Sequence, residues 1–516
     1  MFLVTFGFLV FMAVTIAAYY LVPGKIQWVV LLLASAVFYF YAGTPYTVIY
    51  LLVTIVTIWA GSNYIDKVRD SDPGKAKRAL IATLLVNIGI LAALKYMNFF
   101  ISNFKSICGL FGRGQGIQPV HWAASLGVSF YTLQAVSYLV DVYWGTSKPQ
   151  KNLLKVALFT SYFPQMSSGP ICRYHEMEQL YEPHKFDYQR LCFGMQRMLF
   201  GFIKKLVVAE NLGVYVNYIF DENANYNGTF LWLGLFAYVV QLYADFSGCM
   251  DIVLGASECF GIYMPENFNR PFHSRSIQEF WKRWHITLGT FAQDYIMYPI
   301  LRSKAWTKMR KSLKVKYGKA MSKNVPTYLA MMILWVYIGI WHGGAWNYVG
   351  EGIWFGIVVM LGQLLDRRLK RVMELLGISP EARWWHCFQS ARTAVIYGIG
   401  VYFFRASSVR QALHYVKASI SPRCLTFSNF LMQWQVFSAS FPVKEFYKAM
   451  ICVGIGVIFM IVLFIFQAKE KSFYQWLADR NLVIRWCILY LMLFTIILFG
   501  VYGPEYDAAQ FIYGGF

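Results

Sequence analysis

The sequence predicts an all-α polytopic membrane protein with about eleven to thirteen transmembrane or re-entrant helices. Its 516 residues are 58% hydrophobic and only 14% charged, whereas soluble domains carry roughly 25% charged residues. Apolar segments of about 20 residues, long enough to cross a hydrocarbon core, recur along the chain. In such a chain the net charge of +21 indicates contact with anionic lipid headgroups and not with nucleic acid. The nine cysteines show no C-x-x-C spacing, so we expect no metal site and no disulfide framework.

The N-terminal part of the chain, residues 1–120, is predicted to form transmembrane helices. The first three apolar segments are residues 1–22, 26–42 and 46–64. The following loop, residues 66–78, holds five Lys or Arg and is therefore predicted to be cytoplasmic. Counting back across three spans places the N-terminus outside the cytoplasm. We expect the first segment to be a retained helix, because no basic residue precedes Lys25 and no cleavage site for a signal peptide follows.

In residues 121–372 several apolar segments carry polar side chains. Gln134 lies in one such segment, and hydrogen bonding between helices would explain it. Gln241 and Asp245 fall on one face of another predicted helix, residues 230–248. A carboxylate inside a membrane indicates a functional site or a structural ion pair with a partner such as an Arg elsewhere. Both interpretations of Asp245 remain open from the sequence.

A charged and aromatic segment follows the non-helical stretch 265–272, which contains Asn267. Ser276 is predicted to cap a helix that continues to Tyr295, with Glu279 at its third position. The charges of this helix are too many for a lipid-facing span, so it lies at an interface or lines a cavity.

Within this predicted helix, Trp281, His285 and Leu288 would share one face. Glu279 and Arg283 would form an i,i+4 ion pair. Taken alone, His285 is also compatible with an ordinary histidine at the membrane interface.

A second histidine, His342, lies in a stretch where Glu351 is the sole formal charge between residues 328 and 365. A polar group in lipid must be paired or used, so His342 either bonds a neighbouring helix or has a function. Small residues, beginning with Gly343, follow it and open the backbone beside the imidazole, which favours function. The 16 residues from Thr327 to His342 span about 24 Å as a helix, less than the hydrocarbon core. We therefore expect His342 below the membrane surface, at the end of a polar funnel.

The basic segments define the predicted topology. Residues 301–325 contain nine Lys or Arg and no acid, and residues 366–371 are also basic, so both are predicted to be cytoplasmic loops. The hairpin tip with His342 then lies in the outer half of the bilayer. Residues 373–516 are predicted to form C-terminal transmembrane helices with an external loop at 405–444, and both chain termini are expected outside the cytoplasm.

Several short motifs occur along the chain in the same order as in one protein family, and their sequences resemble the motifs of that family. They are Ser129-Phe130-Tyr131-Thr132-Leu133-Gln134, Asp141-Val142-Tyr143, Tyr162-Phe163-Pro164-Gln165, Gly169-Pro170, Tyr243-Ala244-Asp245-Phe246-Ser247-Gly248, Pro265-Glu266-Asn267-Phe268-Asn269, Glu279-Phe280-Trp281-Lys282-Arg283-Trp284-His285, Trp341-His342-Gly343 and Phe404-Arg405-Ala406. The ordered set resembles the membrane-bound O-acyltransferases, specifically the bacterial branch with the alginate O-acetylase and the D-alanyl transfer protein of teichoic acid synthesis.

This resemblance implies a ring of helices around a central funnel in a bacterial cell membrane, with residues 121–372 as the catalytic core. It also implies that His342 is the essential histidine and His285 the second histidine near the reaction centre. Two positions depart from the pattern of the branch: Gln293 replaces a usual Arg near the donor side, and Phe355 replaces a frequent His near the acceptor side.

The chemistry of acyl transfer suggests a role for each residue. Acyl transfer needs a base that takes the proton of the hydroxyl and a group that steadies the oxyanion. We therefore assign His342 as the general base, and we expect His285 to orient or polarise the thioester carbonyl. Arg283 would meet a phosphate-bearing donor. No pattern for a covalent nucleophile is present, so we expect direct transfer. Other residues expected to bind substrate or line the funnel are Trp341, Gly343, Glu279, Trp281, Asp245, Gln241, Asn267 and Gln134.

The functional hypothesis is that the protein moves an acetyl group across the membrane to hydroxyls of an exported or cell-surface polysaccharide. The donor would be a cytoplasmic thioester substrate, acetyl-CoA or an acyl carrier protein, with no bound cofactor. Expected partners are membrane lipid and an extracytoplasmic acetyltransferase or polysaccharide synthase complex. Two alternatives remain: D-alanyl transfer to teichoic acid, and a non-enzymatic proton-coupled transporter that uses His342 and Asp245.

Overall fold

Helices and their connections make up the fold in the computed structural model, which describes residues 3–112, 116–122, 125–222, 226–440, 443–468 and 473–503. Among these residues the sole extended pairing is one antiparallel bridge between Phe268 and Trp284, which confirms the all-α prediction. The α-helices are α1 Phe6–Leu21, α2 Gln27–Ala42, α3 Val48–Arg69, α4 Pro73–Gly109, α5 Val128–Trp144, α6 Leu153–Ser161, α7 Phe163–Met166, α8 Tyr188–Phe202, α9 Glu210–Asn217, α10 Thr229–Glu258, α11 Ile277–Trp281, α12 Ile286–Ala292, α13 Tyr298–Arg302, α14 Lys304–His342, α15 Trp346–Leu375, α16 Arg383–Arg405, α17 Val409–Ile420, α18 Phe427–Ser440, α19 Val443–Ala468, α20 Phe473–Ala478 and α21 Leu482–Phe499.

Seven membrane-spanning candidates, judged by length and composition, occur in the described parts of the chain. They are Gly24–Ala42, Val48–Arg69, Pro73–Gly109, Thr229–Glu258, Lys304–His342, Trp346–Leu375 and Leu482–Phe499. Two shorter apolar helices, Phe6–Leu21 and Met450–Phe459, accompany them. The chain is thus a multi-pass membrane protein.

Helix α10 forms the centre of the fold. Within its most apolar stretch 78% of the residues are buried, against 6–50% for the other candidate spans. Its backbone touches that of α8. A Cβ on Gly201 of α8 would lie 2.6 Å from the carbonyl oxygen of Gly248, and a Cβ on Gly248 would lie 2.9 Å from the carbonyl oxygen of Gly201. This close approach brings side chains on both helices into buried contact.

The predicted helix from Ser276 to Tyr295 is wrong as one continuous element. Ser276 does cap α11, since its Oγ accepts from the Glu279 backbone N–H at 3.2 Å. The helix stops at Trp281 because the chain then pairs with residues 267–269, through the Phe268–Trp284 bridge and a bond from the Ile286 N–H to the Asn267 carbonyl. Consequently Trp281 and His285 do not share a helical face with Leu288.

Two predicted loops are helical. Residues 301–325 form a helical hairpin with its turn at Gly318, where φ is +82°; Trp306 Nε1 donates to the Pro326 carbonyl at 3.0 Å across it. The segment 405–444 contains α17 and α18. A sequence reading of charge and polarity missed these helices because they lack the apolar length of a span. The predicted position of the C-terminus falls outside the described residues.

Candidate active site

The site is built around a buried hydrogen-bonded pair, His342 and Glu351. His342 ends α14 and Glu351 lies on α15, with relative exposures of 2% and 5%. His342 Nδ1 lies 2.9 Å from Glu351 Oε2. An ionised carboxylate can only accept a hydrogen bond, so Nδ1 carries the proton and Nε2 becomes the basic nitrogen of the ring. This arrangement prepares His342 to take a proton at Nε2.

Two glycines bring these helices together. A Cβ on Gly339 would lie 2.3 Å from the carbonyl oxygen of Tyr348, and a Cβ on Gly352 would lie 2.3 Å from that of Trp335. No side chain fits at either position, so the backbones of α14 and α15 cross in direct contact. Glu351, one residue before Gly352, reaches His342 because of this crossing.

His285 adopts a strained backbone conformation between α11 and α12. Its φ and ψ are 48° and 52°, a left-handed geometry that costs roughly 1–2 kcal/mol for a residue with a side chain. Its Nδ1 lies 3.3 Å from Asn267 Oδ1, and the same oxygen accepts from the N–H and the hydroxyl of Thr287, each at 3.0 Å. Strain held in place by a buried network is typical of functional positions.

Trp341 connects the two histidines. Its indole lies 5.6 Å from the His285 ring and 5.7 Å from the His342 ring, centroid to centroid. Phe246 of α10 packs edge-on against His285 at 4.8 Å, and Phe404 packs edge-on against His342 at 5.5 Å. The structure therefore brings together the two histidines and Trp341 predicted from the sequence, in an aromatic and largely apolar enclosure.

Three predicted residues lie around α11. Glu279 and Arg283 form the predicted ion pair, at 2.8 Å, with about a third of each side chain exposed. Trp281 packs edge-on against Trp335 and Phe355, at 5.0 and 4.7 Å. Phe355, which occupies a position expected to hold His, is thus part of the aromatic packing beneath the site.

Asp245 and the other polar candidates have separate surroundings. Asp245 is paired with Lys205 at 2.6 Å, and both are almost fully buried; this favours the structural interpretation, with Lys as the partner. Gln241 approaches Gly213 of α9, and Gln134 is buried in α5. Gly343 is held against the Tyr348 ring, which a Cβ would meet at 2.3 Å.

Two residues of the site were missed by the sequence prediction. Glu351 was recognised as an isolated charge but was not assigned to His342. Lys95 of α4 was not singled out, yet its ammonium contacts the carbonyl of Trp341. A charge inside an apolar segment is the signal that marks both residues.

The described residues offer no cluster of three or more His, Cys, Asp or Glu that could hold a metal ion. What they do provide is a base with a fixed proton on Nδ1 and a second imidazole nearby, the groups that acyl transfer to a hydroxyl requires.

A helical multi-pass fold with a buried histidine–carboxylate pair fits an integral membrane enzyme of group transfer. Residues 150–364 match the model of MBOAT, the membrane-bound O-acyltransferase family, and these residues include both histidines. The chain therefore carries a membrane-bound O-acyltransferase domain and is an O-acyltransferase.

Similar proteins support this assignment. The chain is 29% identical over 412 residues to the probable alginate O-acetylase of Pseudomonas aeruginosa, covering 80% of this chain and 73% of that protein. It is 27% identical over 418 residues to the peptidoglycan O-acetyltransferase of Helicobacter pylori, with 76% and 73% covered. It is 29% identical over 291 residues to the teichoic acid D-alanyltransferase of Bacillus subtilis, with 55% and 70% covered.

Changing Glu351 to Gln is expected to lower kcat on the order of 10²-fold, because the amide still bonds Nδ1 but no longer stabilises the imidazolium. The KM for the acyl donor should stay the same. Both constants are measured by steady-state kinetics of the purified variant in detergent or liposomes. Glu374→Gln, an exposed change on the same helix, is the matched control; equal rates for both variants would contradict a role for Glu351.

Changing His285 to Asn is expected to preserve folding and to lower kcat on the order of 10²-fold, as for loss of an oxyanion donor. Asn tolerates the left-handed conformation, so it removes the imidazole with little added strain, whereas Ala would also destabilise the turn. Full activity of His285→Asn would show that the ring has no role in the reaction.

Proposed function

We propose that this protein transfers an acetyl group from a cytoplasmic thioester to a hydroxyl of a polysaccharide outside the cytoplasm. The single observation that carries the proposal is the buried His342–Glu351 pair, joined through Trp341 to His285. A polysaccharide acceptor is supported by the names of the relatives that align over most of the chain, an alginate O-acetylase and a peptidoglycan O-acetyltransferase.

In the proposed reaction, His342 Nε2 removes the proton of the acceptor hydroxyl as its oxygen attacks the thioester carbonyl. Glu351 stabilises the imidazolium that forms. His285 orients the thioester carbonyl. Because its Nδ1–H bonds Asn267 Oδ1, it can steady the oxyanion of the tetrahedral intermediate only as an imidazolium, whose Nε2–H would donate to that oxygen. The C–S bond then breaks, and the leaving thiolate takes the proton from His342. The acyl group and the proton are both accounted for, and no other reactant is needed.

The proposed sidedness follows from charge. The helical hairpin at 301–325 carries nine basic residues and no acid and is placed in the cytoplasm by the positive-inside rule. The last part of α14, from Pro326, then runs outward to His342. A donor entering from the cytoplasm and an acceptor arriving from outside would meet at the two histidines, in the plasma membrane of a bacterium. Arg283 is proposed to face the cytoplasmic side and to meet a phosphate of the donor.

D-alanyl transfer to teichoic acid is a second candidate, supported by the Bacillus subtilis relative. That alignment covers 55% of this chain, against 80% for the alginate O-acetylase. We therefore place acetyl transfer first. An extracytoplasmic acetyltransferase that receives the acetyl group, or a polysaccharide synthase complex, is proposed as partner.

The proposed function is tested with purified protein in liposomes that have no ion gradient. Radiolabelled acetyl-CoA, an acetylated carrier protein and a D-alanylated carrier protein are supplied separately, and an oligosaccharide acceptor is placed on the opposite side of the membrane. We expect release of free thiol and labelled ester with an acetyl donor, and neither product with the His342→Ala variant. Turnover with the D-alanyl donor alone would favour the second candidate. Absence of thioester turnover here, together with solute uptake by the same liposomes once a proton gradient is imposed, would indicate a transporter.

A further inference from the structure

Lys95 is a basic side chain inside a candidate membrane span that contacts the residue preceding His342. It lies on α4 and is half-buried. Its Nζ donates to the carbonyl oxygen of Trp341 and to Ser129 Oγ, the latter at 3.2 Å. The same ammonium lies 5.3 Å from the centroid of the Trp341 ring. Lys95 therefore touches both the backbone and the side chain of the residue that separates the two imidazoles.

The carbonyl that Lys95 contacts belongs to the C-terminal end of a helix. Trp341 is the last residue but one of α14, and the last four carbonyls of a helix lack a partner within it. This end of a helix also carries about half a negative charge. In a hydrocarbon region an unsatisfied carbonyl and a lone ammonium each cost several kcal/mol. The contact satisfies both groups, so it holds the end of α14 at a defined place on α4.

The turn after His342 rests on the same part of α4. A Cβ on Gly344 would lie 3.3 Å from the carbonyl oxygen of Lys95 and 3.2 Å from Phe99 Cβ. Further along, Trp346 Nε1 donates to Asn103 Oδ1 at 2.8 Å. Helix α4 is thus the surface against which the α14–α15 turn is seated, and Lys95 supplies the charged contact of that surface.

We propose that Lys95 is a positioning residue for acyl transfer, which fixes Trp341 between the two imidazoles and so holds His342 at its place beside Glu351. The inference rests on the proposed function. Lys95 acts through Trp341 and the end of α14, and a misplacement of about 1 Å in a reacting group can cost about 10²-fold in rate. Loss of the ammonium should therefore reduce catalysis without removing any group that performs it.

The test compares Lys95→Met, Lys95→Arg and Lys105→Met in the liposome assay with labelled acetyl-CoA. Methionine keeps the length of the side chain without its charge, and arginine restores a cation. Lys105, exposed on the same helix, is the matched control. Each variant is assayed for kcat, for the KM of the donor and for its thermal unfolding midpoint.

For Lys95→Met we expect kcat to fall about 10²-fold with KM and the unfolding midpoint close to wild type. Lys95→Arg should recover at least about a tenth of the wild-type rate, since a cation near the helix end restores the contact. Lys105→Met should match wild type.

Two results would overturn the inference. One is a folded Lys95→Met protein with wild-type kcat. The other is an equal fall in activity and unfolding midpoint for both Lys95 variants, which would indicate a structural role alone. If His342→Ala is inactive and Lys95→Met is fully active, the Lys95 inference alone fails, whereas an active His342→Ala protein contradicts the proposed function.

Discussion

Replacement of His342 by alanine is expected to reduce the rate of acyl transfer by about 10³-fold or more while the protein remains folded. A general base typically contributes 10²–10⁴-fold, and here the same ring also returns the proton to the leaving thiolate. The change also leaves the Glu351 carboxylate buried without its partner at 2.9 Å, which adds a cost in stability.

The double variant His342→Ala, Glu351→Ala separates the two effects. It removes both buried partners, so it should be more stable than His342→Ala alone and equally inactive. Kinetics with a labelled donor and thermal unfolding in detergent measure the two quantities. His386, partly exposed on α16 and outside the site, provides the control change His386→Ala, which should retain wild-type activity. Transfer by the His342→Ala protein at a rate within about tenfold of wild type would exclude general-base catalysis by this ring.

The second large effect is expected at Lys205. Its ammonium pairs with Asp245 at 2.6 Å and with Glu210, and the exposures of Lys205 and Asp245 are only 2% and 1%. Lys205→Met leaves the Asp245 carboxylate in an apolar interior, and breaking a buried pair from one side costs about 3–5 kcal/mol. We expect a marked fall in the free energy of unfolding, measured by reversible denaturation in mixed micelles.

A double variant identifies the cause and tests Asp245. Lys205→Met, Asp245→Leu removes the two fully buried charges and leaves Glu210, whose side chain is partly exposed. Apolar replacement of a buried pair is often neutral, so the double variant should recover a large part of the lost stability. It should also retain acyl transfer, because the pair is structural in our interpretation. Loss of transfer in a stable double variant would instead assign Asp245 a role in the reaction, and unchanged stability of Lys205→Met would contradict the energetic argument.

A second cluster of ion pairs explains the charged residues in and just after α8. Asp251 accepts from Arg197 at 3.1 Å and from Lys204 at 2.6 Å, and Arg197 also reaches Glu266 at 2.7 Å. The sequence shows the basic residues of this segment but not their partners on α10. The partners become visible when the close approach at Gly201 and Gly248 brings the two helices together.

For the two histidines as well, the sequence indicated part of the site and the structure supplied the rest. His342 was predicted as functional because a polar side chain in an apolar segment is a local signal, and the order of the motifs added His285. The strained conformation of His285 was not predictable, because it depends on residues 267–269 pairing with 283–286. The capping pattern at Ser276 favours a regular helix through this segment. The pairing with residues 267–269 interrupts that helix.

The amino-acid sequence by itself determined the helical class and the multi-pass membrane character, and it singled out the two histidines as candidates, because hydrophobicity, helix caps and ordered motifs are properties of neighbouring residues. Only the tertiary structure decided which groups act on those histidines. Glu351 meets His342 across a crossing of two helices, and Lys95 meets Trp341 across 246 positions of the chain. Such contacts depend on how closely backbones pack, and one charge in an apolar segment does not specify its partner until the helices are in place.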